Sequence, residues 1–140
     1  MTPLTTDQLA AFQRRFEFAD GLLRALRLHY PARGPITAEV VLTVRVAEPA
    51  PEADSEGWLN LRLELAGVDE YRFQKRSNTD ARVLTGVRLG VFDGLIFVNL
   101  DDWVGPDEPA GLPEFRASDC YLAARTVRYA VERSGDMMAG

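Results

Sequence analysis

Cysteine and histidine are almost absent from the 140-residue chain, which contains one of each, Cys120 and His29. A single cysteine cannot form an intrachain disulfide, which agrees with a reducing cytoplasm. One histidine and one cysteine are too few for a zinc site. No GxSxG motif provides a serine nucleophile, and neither residue has a recognisable catalytic partner. We therefore predict no catalytic residue, no metal ligand and no cofactor, and we expect a protein without enzymatic activity.

Long apolar runs and phosphate-binding motifs are also missing. No apolar run approaches the roughly 18 residues needed to span a bilayer, and the first residues, MTPLTTDQLAAF, do not resemble a signal peptide. Neither GxGxxG nor GxxxxGK[ST] occurs. The net charge is −5, whereas nucleic-acid-binding domains are usually basic. We expect a soluble, cytoplasmic protein that binds neither membranes nor nucleic acid.

Helical spacing of apolar residues occurs near the N-terminus. Leu9, Phe12 and Phe16 recur every three or four residues after Thr6, which can cap a helix. This spacing predicts a short amphipathic helix over about residues 7–17. The same spacing could continue to Tyr30 in one long helix, but Asp20-Gly21 interrupts it and the following residues alternate, which favours a strand over residues 22–30.

Most of the remaining chain alternates between apolar and polar residues, the pattern of half-buried strands. Strands are predicted over residues 36–46, 59–65, 71–73 and 121–131, with Gly67 as a bulge or turn between the second and the third. The segment 121–131 fits either one long strand or a hairpin that turns near Ala124-Arg125. Lys75–Asp80 has the composition of a polar turn, and the next strand begins near Arg82.

Asp93-Gly94 lies between two apolar runs and predicts a β-hairpin with a type I′ turn. With Phe92 paired to Leu95, one face of the hairpin is wholly aliphatic and should be buried; it contains Val87, Leu89, Val91, Ile96, Val98 and Leu100. The other face contains Gly90, over whose bare backbone the Phe97 ring can lie. A slip of one residue would exchange the two faces, so the turn fixes the register.

The order of these elements predicts the fold class. Seven to eight short strands after one N-terminal helix indicate an α+β fold, mostly an antiparallel β-sheet or sandwich. A length of 140 residues, 46% of them hydrophobic, suits one domain over residues 1–140. The strands and helices do not alternate, which argues against a doubly wound nucleotide-binding fold.

Acidic residues are concentrated in two segments that contain no lysine or arginine. Glu48–Gly57 contains four acids and Asp101–Glu114 contains five, so basic residues outnumber acidic ones in the rest of the chain. Such segments are commonly solvated connectors. The second one also contains Trp103, and tryptophan is favoured at protein-binding hot spots. An alternative is that the Trp103 ring folds back over the end of the hairpin.

We predict that both acidic segments form the surface for a basic protein partner. The binding residues are expected in the second segment: Asp101, Asp102, Trp103, Asp107 and Glu108. Trp103 would be the anchor, and the carboxylates would steer the partner.

Three stretches, FADGLLRAL, LELAGV and FRASDCYLAA, resemble small uncharacterised bacterial α+β proteins, some of them close to the immunity proteins of polymorphic-toxin systems. The resemblance implies a protein that covers the active site of a toxin with an acidic surface. We therefore expect a non-enzymatic, cytoplasmic protein-binding module of this type. The alternative is a small-molecule-binding or enzymatic domain with a pocket in the β-sheet.

Overall fold

A computed structural model describes residues 1–75, 82–105 and 108–133. These residues form seven strands, two α-helices and one 3₁₀ turn, Thr6–Gln8. The helices are α1 (Leu9–Arg15) and α2 (Leu112–Arg116). The strands are β1 (Thr2–Pro3), β2 (Phe16–His29), β3 (Thr37–Val46), β4 (Trp58–Phe73), β5 (Arg88–Phe92), β6 (Leu95–Asn99) and β7 (Cys120–Glu132). The predicted α+β class is confirmed.

The seven strands form one antiparallel sheet, in which six follow the order β2-β3-β4-β7-β6-β5 and β1 pairs with β7. Strand β7 pairs with β4 along its whole length, and its other edge pairs first with β6 and then with β1. The last strand in sequence order therefore lies in the interior of the sheet. Among the described residues, no helix is long and apolar enough to cross a membrane.

The sheet curls until its two ends are connected by a short seam. The segment just before β5 pairs with the outer edge of β2: Leu23 N donates to Arg82 O at 2.7 Å, and Leu84 N donates to Gly21 O at 2.8 Å. Helix α1 completes the closure through Gln13, whose side chain donates to Val87 O at 3.2 Å and accepts from Leu89 N at 3.1 Å. The curled sheet encloses the main core on its inner face.

Helix α1 is shorter than the sequence predicts, and the strand after it is longer. The chain changes from helix to strand at Phe16, so the alternative of one long helix is wrong. Asp20-Gly21 forms a bulge in β2, with Asp20 at φ 65°. A Cβ on Gly21 would lie 2.9 Å from Thr43 O, which explains glycine at this position. Phe12 of α1 packs into the core, with its ring centroid 5.0 Å from that of Tyr129.

The predicted hairpin is confirmed, with its register. Phe92 pairs with Leu95 and Arg88 with Asn99, while Asp93 and Gly94 have φ angles of 53° and 77°. Two details of the predicted hairpin, the burial of Val91 and the side chain that covers Gly90, are wrong. Val91 lies at the free edge of β5 and is 40% exposed. Gly90 is covered not by Phe97 but by Phe92 and by Phe115 of α2, whose Cζ would lie 3.0 Å from an added Cβ.

Strands β4 and β7 bend together at Gly67, which has a φ of 69°. Leu65 pairs with Val127 and Val68 pairs with Ala124, and all four side chains belong to the inner core. Because the two core residues of each strand are three positions apart, the alternation of inward and outward side chains shifts by one residue at the bend. β7 is one continuous strand, and the alternative hairpin near Ala124-Arg125 is wrong. The predicted polar turn, Lys75–Asp80, lies outside the described residues from position 76 onward.

Candidate functional site

One end of the sheet gathers most of the exposed large apolar side chains. At this end, which we call the loop end, β2, β4 and β6 finish and β3, β5 and β7 begin. The described residues expose eight large apolar side chains, and five of them lie here: Tyr30, Tyr71, Phe73, Trp103 and Val104. An exposed apolar surface of this kind is typical of an interaction site.

A buried arginine holds the loop that leaves β6. Nε of Arg88, the first residue of β5, donates to Asp102 Oδ2 at 3.1 Å. Its remaining nitrogens donate to the carbonyl oxygens of Glu108, at 2.7 Å, and of Gly105. Only 11% of the Arg88 side chain and 6% of the Asp102 side chain are exposed. One guanidinium thus ties three points of the loop to the end of the sheet.

The first turn of this loop is fixed by its own polar groups as well. Asp102 Oδ1 accepts a hydrogen bond from Val104 N at 3.3 Å, and Asp102 N donates to Gly86 O at 3.1 Å. Asp101 accepts from the Thr85 hydroxyl at 3.0 Å. We call residues 100–105 and 108–111 the Trp103 loop. Its described backbone is held in place before any partner binds.

Helix α2, which was not predicted from the sequence, anchors the far side of the Trp103 loop. Phe115 is buried against Gly90 on the outer face of the sheet. Arg116 donates two hydrogen bonds to the Glu70 carboxylate, at 3.0 and 2.7 Å. These bonds from Arg116, helped by one from the Tyr121 hydroxyl, lower the pKa of Glu70 in spite of its partial burial.

Trp103 projects from this anchored loop into solvent and is 72% exposed. The alternative that its ring folds back over the end of the hairpin is therefore wrong. Asp101 is half-buried and Glu108 is exposed on the same loop. A large apolar ring is thus presented beside carboxylates on a backbone that is fixed at several points.

The other predicted binding residues are placed differently. The Asp102 carboxylate is directed at Arg88 and does not add a negative charge to the surface, and Asp107 lies outside the described residues. The acidic segment Glu48–Gly57 connects β3 to β4 at the end of the sheet opposite the loop end. The two acidic segments cannot form one continuous surface. The protein-binding role of the residues that remain stays a prediction.

An exposed aromatic cluster, which was not predicted from the sequence, lies beside the Trp103 loop at the loop end. It consists of Tyr30, Tyr71 and Phe73, and its ring centroids lie 6.4 Å apart between the tyrosines and 5.3 Å apart between Tyr71 and Phe73. The two tyrosine hydroxyls share a hydrogen bond, which raises the pKa of Tyr30. The rings meet because β4 continues seven residues beyond the point where it pairs with the start of β3.

The residues considered for catalysis do not form a site. His29 ends β2 and Cys120 begins β7, with β3 and β4 between them in the sheet. Burial, with added repulsion from Asp101 and Asp119, raises the pKa of the Cys120 thiol to about 12, so the nucleophilic thiolate does not form near neutral pH. Within the described ranges, no three metal-ligating side chains come together.

A groove of about 660 Å³ lies at the bend of β4 and β7. It is bordered by the Gly34–Ile36 turn, Gly67, Asp69 and Arg125. Six of its nine lining residues belong to β4 and β7, and neither His29 nor Cys120 is among them. The alternative of a small-molecule-binding or enzymatic domain with a pocket in the β-sheet stays a prediction.

Comparison with known proteins identifies no relative. No family model, curated protein or solved structure matches the chain. Function is therefore inferred from the geometry of the chain itself.

Proposed function

We propose that the protein is a non-enzymatic protein-binding module that docks a partner with a basic surface on its Trp103 loop. The observation that carries this proposal is the 72% exposure of Trp103 on a loop held by the buried Arg88–Asp102 pair. A loop that only connects two strands needs no exposed tryptophan and no buried ion pair to hold its backbone.

The anchoring of the loop favours tight docking. A ligand-binding segment that is already ordered loses less conformational entropy when its partner binds. Arg88 and Asp102 order the start of the Trp103 loop, and α2 fixes its far side. Trp103 can then enter an apolar pocket of the partner as a hot-spot residue, with its ring largely desolvated only in the complex.

The charge of the partner is inferred from the carboxylates around the ring. Asp101 and Glu108 accompany Trp103 on the loop end, whereas Asp102 is neutralised by Arg88. Complementary rim charges mainly accelerate association, so a lysine- or arginine-rich surface is the favoured partner. The same arrangement agrees with the immunity-type occlusion that the sequence resemblance implies, in which a basic active-site cleft is covered. We include that mode, in the cytoplasm, in the proposal.

A photo-crosslinking experiment tests the site and identifies the partner in the same step. The protein is expressed in its native host with p-benzoylphenylalanine in place of Trp103, and in a control with the same residue in place of Val91, which is also exposed. We expect a specific adduct from position 103 only, to a protein with a basic surface. Equal adducts from both positions, or an acidic partner, would contradict the proposal.

Binding kinetics with the captured partner then separate docking from steering. Trp103→Ala should raise the dissociation rate and cost about 2 kcal/mol or more. Asp101→Asn with Glu108→Gln should lower the association rate, and added salt should have the same effect. The matched control, Glu48→Gln with Glu56→Gln, removes the same charge at the opposite end and should leave the rates unchanged. Surface plasmon resonance across a salt series would show each effect.

A further inference from the structure

We infer that the free edge of β4 at the loop end accepts an extended segment of another protein, which adds a strand to the sheet in line with β3. This edge lies on the β3 side of β4, whereas the Trp103 loop follows β6, on the β7 side. The inference goes beyond the proposed function and does not rest on it.

Strand β4 extends past the start of β3 on one of its two edges. Thr37, the first residue of β3, pairs with Ala66, and Val68 N donates to Ile36 O at 2.9 Å. Beyond Val68, none of the described residues pairs with this edge, although β7 continues along the other edge of β4 as far as Phe73. The unpaired stretch is about five residues, or about 17 Å, long.

The hydrogen-bonding groups on this edge belong to Tyr71 and Phe73. Gln74 N donates to Asp119 O, just before β7, at 2.7 Å. Residues of an antiparallel strand direct their N–H and C=O groups to the two edges alternately. Gln74 and Arg72 therefore face β7, while the backbone groups of Tyr71 and Phe73 point to the free edge. Their donors and acceptors have the two-residue spacing that an extended backbone matches.

The exposure of this part of β4 agrees with a free edge. Tyr71, Arg72 and Phe73 are three consecutive exposed residues, whereas Val68 is still buried. An unpaired strand edge is a template on which another chain can pair, and strand addition at such an edge is a common mode of peptide recognition. The backbone pattern thus identifies the occupant as an extended polypeptide segment.

The aromatic cluster indicates which side chains this segment carries. The hydroxyls of Tyr30, which follows β2, and Tyr71, on β4, meet across the gap that β3 leaves. Tyr71 and Phe73 are 41% and 37% exposed and occupy alternate positions of β4. An added strand would place every second side chain beside these rings, and apolar cross-strand pairs stabilise a sheet. We therefore expect apolar residues at alternate positions of the segment.

The turn of residues 31–36 favours a linear segment over the edge of a second folded domain. This turn closes the inner end of the gap, where Ile36 O accepts from Val68 N. A chain that enters the gap must end or bend away at this point. A linear segment can do so more easily than a strand that is fixed in a folded sheet.

Selection from a phage-displayed library of random linear peptides supplies the probe. Peptides about seven residues long cover the unpaired stretch, and the purified full chain is the target. We expect enriched sequences with apolar residues at alternate positions and no proline between them. A selection that enriches no peptide, or only peptides without this alternation, would overturn the inference.

N-methylation of the selected peptide tests for strand pairing. Each amide is methylated in turn, and the dissociation constant is measured by fluorescence polarisation. Methylation of the residues that face β4 should raise the constant about tenfold or more, because each loses a backbone donor, whereas methylation of the intervening residues should change it little. A constant that responds equally at every position would contradict the added strand.

A matched pair of variants locates the peptide on β4. Phe73→Pro and Phe73→Val both remove the ring, but only proline also removes the N–H at the free edge, and it leaves the bonds to β7 in place. We expect Phe73→Pro to bind the peptide about tenfold or more weakly than Phe73→Val. Equal binding by the two folded variants would overturn the inference. If Phe73→Pro does not fold, the N-methyl series and weaker binding by Phe73→Val than by the wild type decide the question.

A second copy of the chain is the competing occupant of the edge. Sedimentation velocity of the wild type should show a monomer, and a dimer that Phe73→Pro abolishes and Phe73→Val retains would contradict the peptide. The inference and the proposed function fail separately, because loss of peptide binding leaves the expected crosslink from position 103 unchanged.

Discussion

The two acidic segments have similar compositions but different structural roles. In Glu48–Gly57, Asp54 accepts hydrogen bonds from the backbone N–H groups of Glu56 and Trp58, both at 2.9 Å, so its carboxylate stabilises its own turn. In the Trp103 loop, Asp102 instead pairs with Arg88, which belongs to β5. The first segment packs Ala53 against the main core but uses its carboxylate for its own turn, whereas the second segment is attached to the sheet by a buried ion pair.

This difference shows that acidic composition does not by itself identify a binding surface. The more informative features are the long-range contacts of a segment and the apolar groups that those contacts leave exposed. Trp58, which follows the first segment, is half-buried with the Arg45 guanidinium 4.7 Å above its ring. Trp103 has comparable acids in its neighbourhood but stays in solvent. Only the second segment therefore combines a fixed backbone with a free aromatic ring.

The largest effect is expected when the buried ion pair is broken. Arg88→Met leaves the Asp102 carboxylate buried without its counter-charge and should destabilise the fold by about 3–5 kcal/mol. Asp54→Ala, in the connector, should cost only about 1 kcal/mol. Urea unfolding of both variants measures the contrast, and equal losses would remove the structural difference between the segments.

A double variant separates the effect of the unpaired Asp102 charge from the effect of the lost Arg88 contacts. Arg88→Met with Asp102→Leu leaves no unpaired buried charge, so it should lose less stability than Arg88→Met alone. If the double variant is the less stable of the two, the loss in the single variant does not come from the unpaired carboxylate.

An intermediate effect is expected at a matched pair of glycines, one in each segment. Gly57 and Gly105 have φ angles of 89° and 91°, and an added Cβ would meet nothing within 4 Å at either position. Alanine should therefore cost about 1–2 kcal/mol at each, from backbone strain alone. Because Gly105 O also accepts from Arg88, only Gly105→Ala should weaken partner binding as well. Thermal unfolding and surface plasmon resonance would test this, and weaker binding by Gly57→Ala would contradict it.

The smallest effect concerns the pH dependence of the α2 anchor. Arg116 lowers the pKa of Glu70 below its ordinary value of 4.5. The ion pair therefore stabilises the fold fully above pH 4.5, and this stabilisation is lost as the pH falls through the lower pKa of the folded state. Both side chains are partly exposed, which keeps the effect small. Glu70→Gln should lower Tm at neutral pH, and its Tm should approach that of the wild type as pH falls below the folded-state pKa of Glu70. A difference in Tm that does not depend on pH would contradict this assignment.

The features that could be predicted from the sequence are those that short-range chemistry determines. Asp93-Gly94 specifies a type I′ turn, and that turn fixes the pairing from Phe92 with Leu95 to Arg88 with Asn99. The class of the fold followed from alternation along β3 and β4. Gly67 also predicts a bulge or turn, but no local pattern in β7 predicts that β7 bends with it.

The candidate site was harder to predict because its contacts join distant residues. Asp101 and Asp102 are adjacent acids, and only the position of Arg88 shows that the second is buried. Tyr30 and Tyr71 meet across 41 residues because β4 continues past the start of β3. Gly111 and Pro113 have the composition of a loop, yet residues 112–116 form a short helix whose Phe115 is buried against the sheet. Each of these features depends on where the strands end relative to one another.

The interior position of β7 has a consequence for the order in which the chain can fold during synthesis. β4 and β6 are its neighbours in the sheet, yet both precede it in the chain, and the Thr2–Pro3 strand also pairs with it. Until β7 has left the ribosome, the edges that it will occupy have no partner, and unpaired edges can associate with other chains. The sheet is therefore completed late, through the non-local pairing of β7 with β4 and β1, and non-local pairing is typical of slow folding. A pause in translation within β7 would leave the nascent chain most exposed to aggregation.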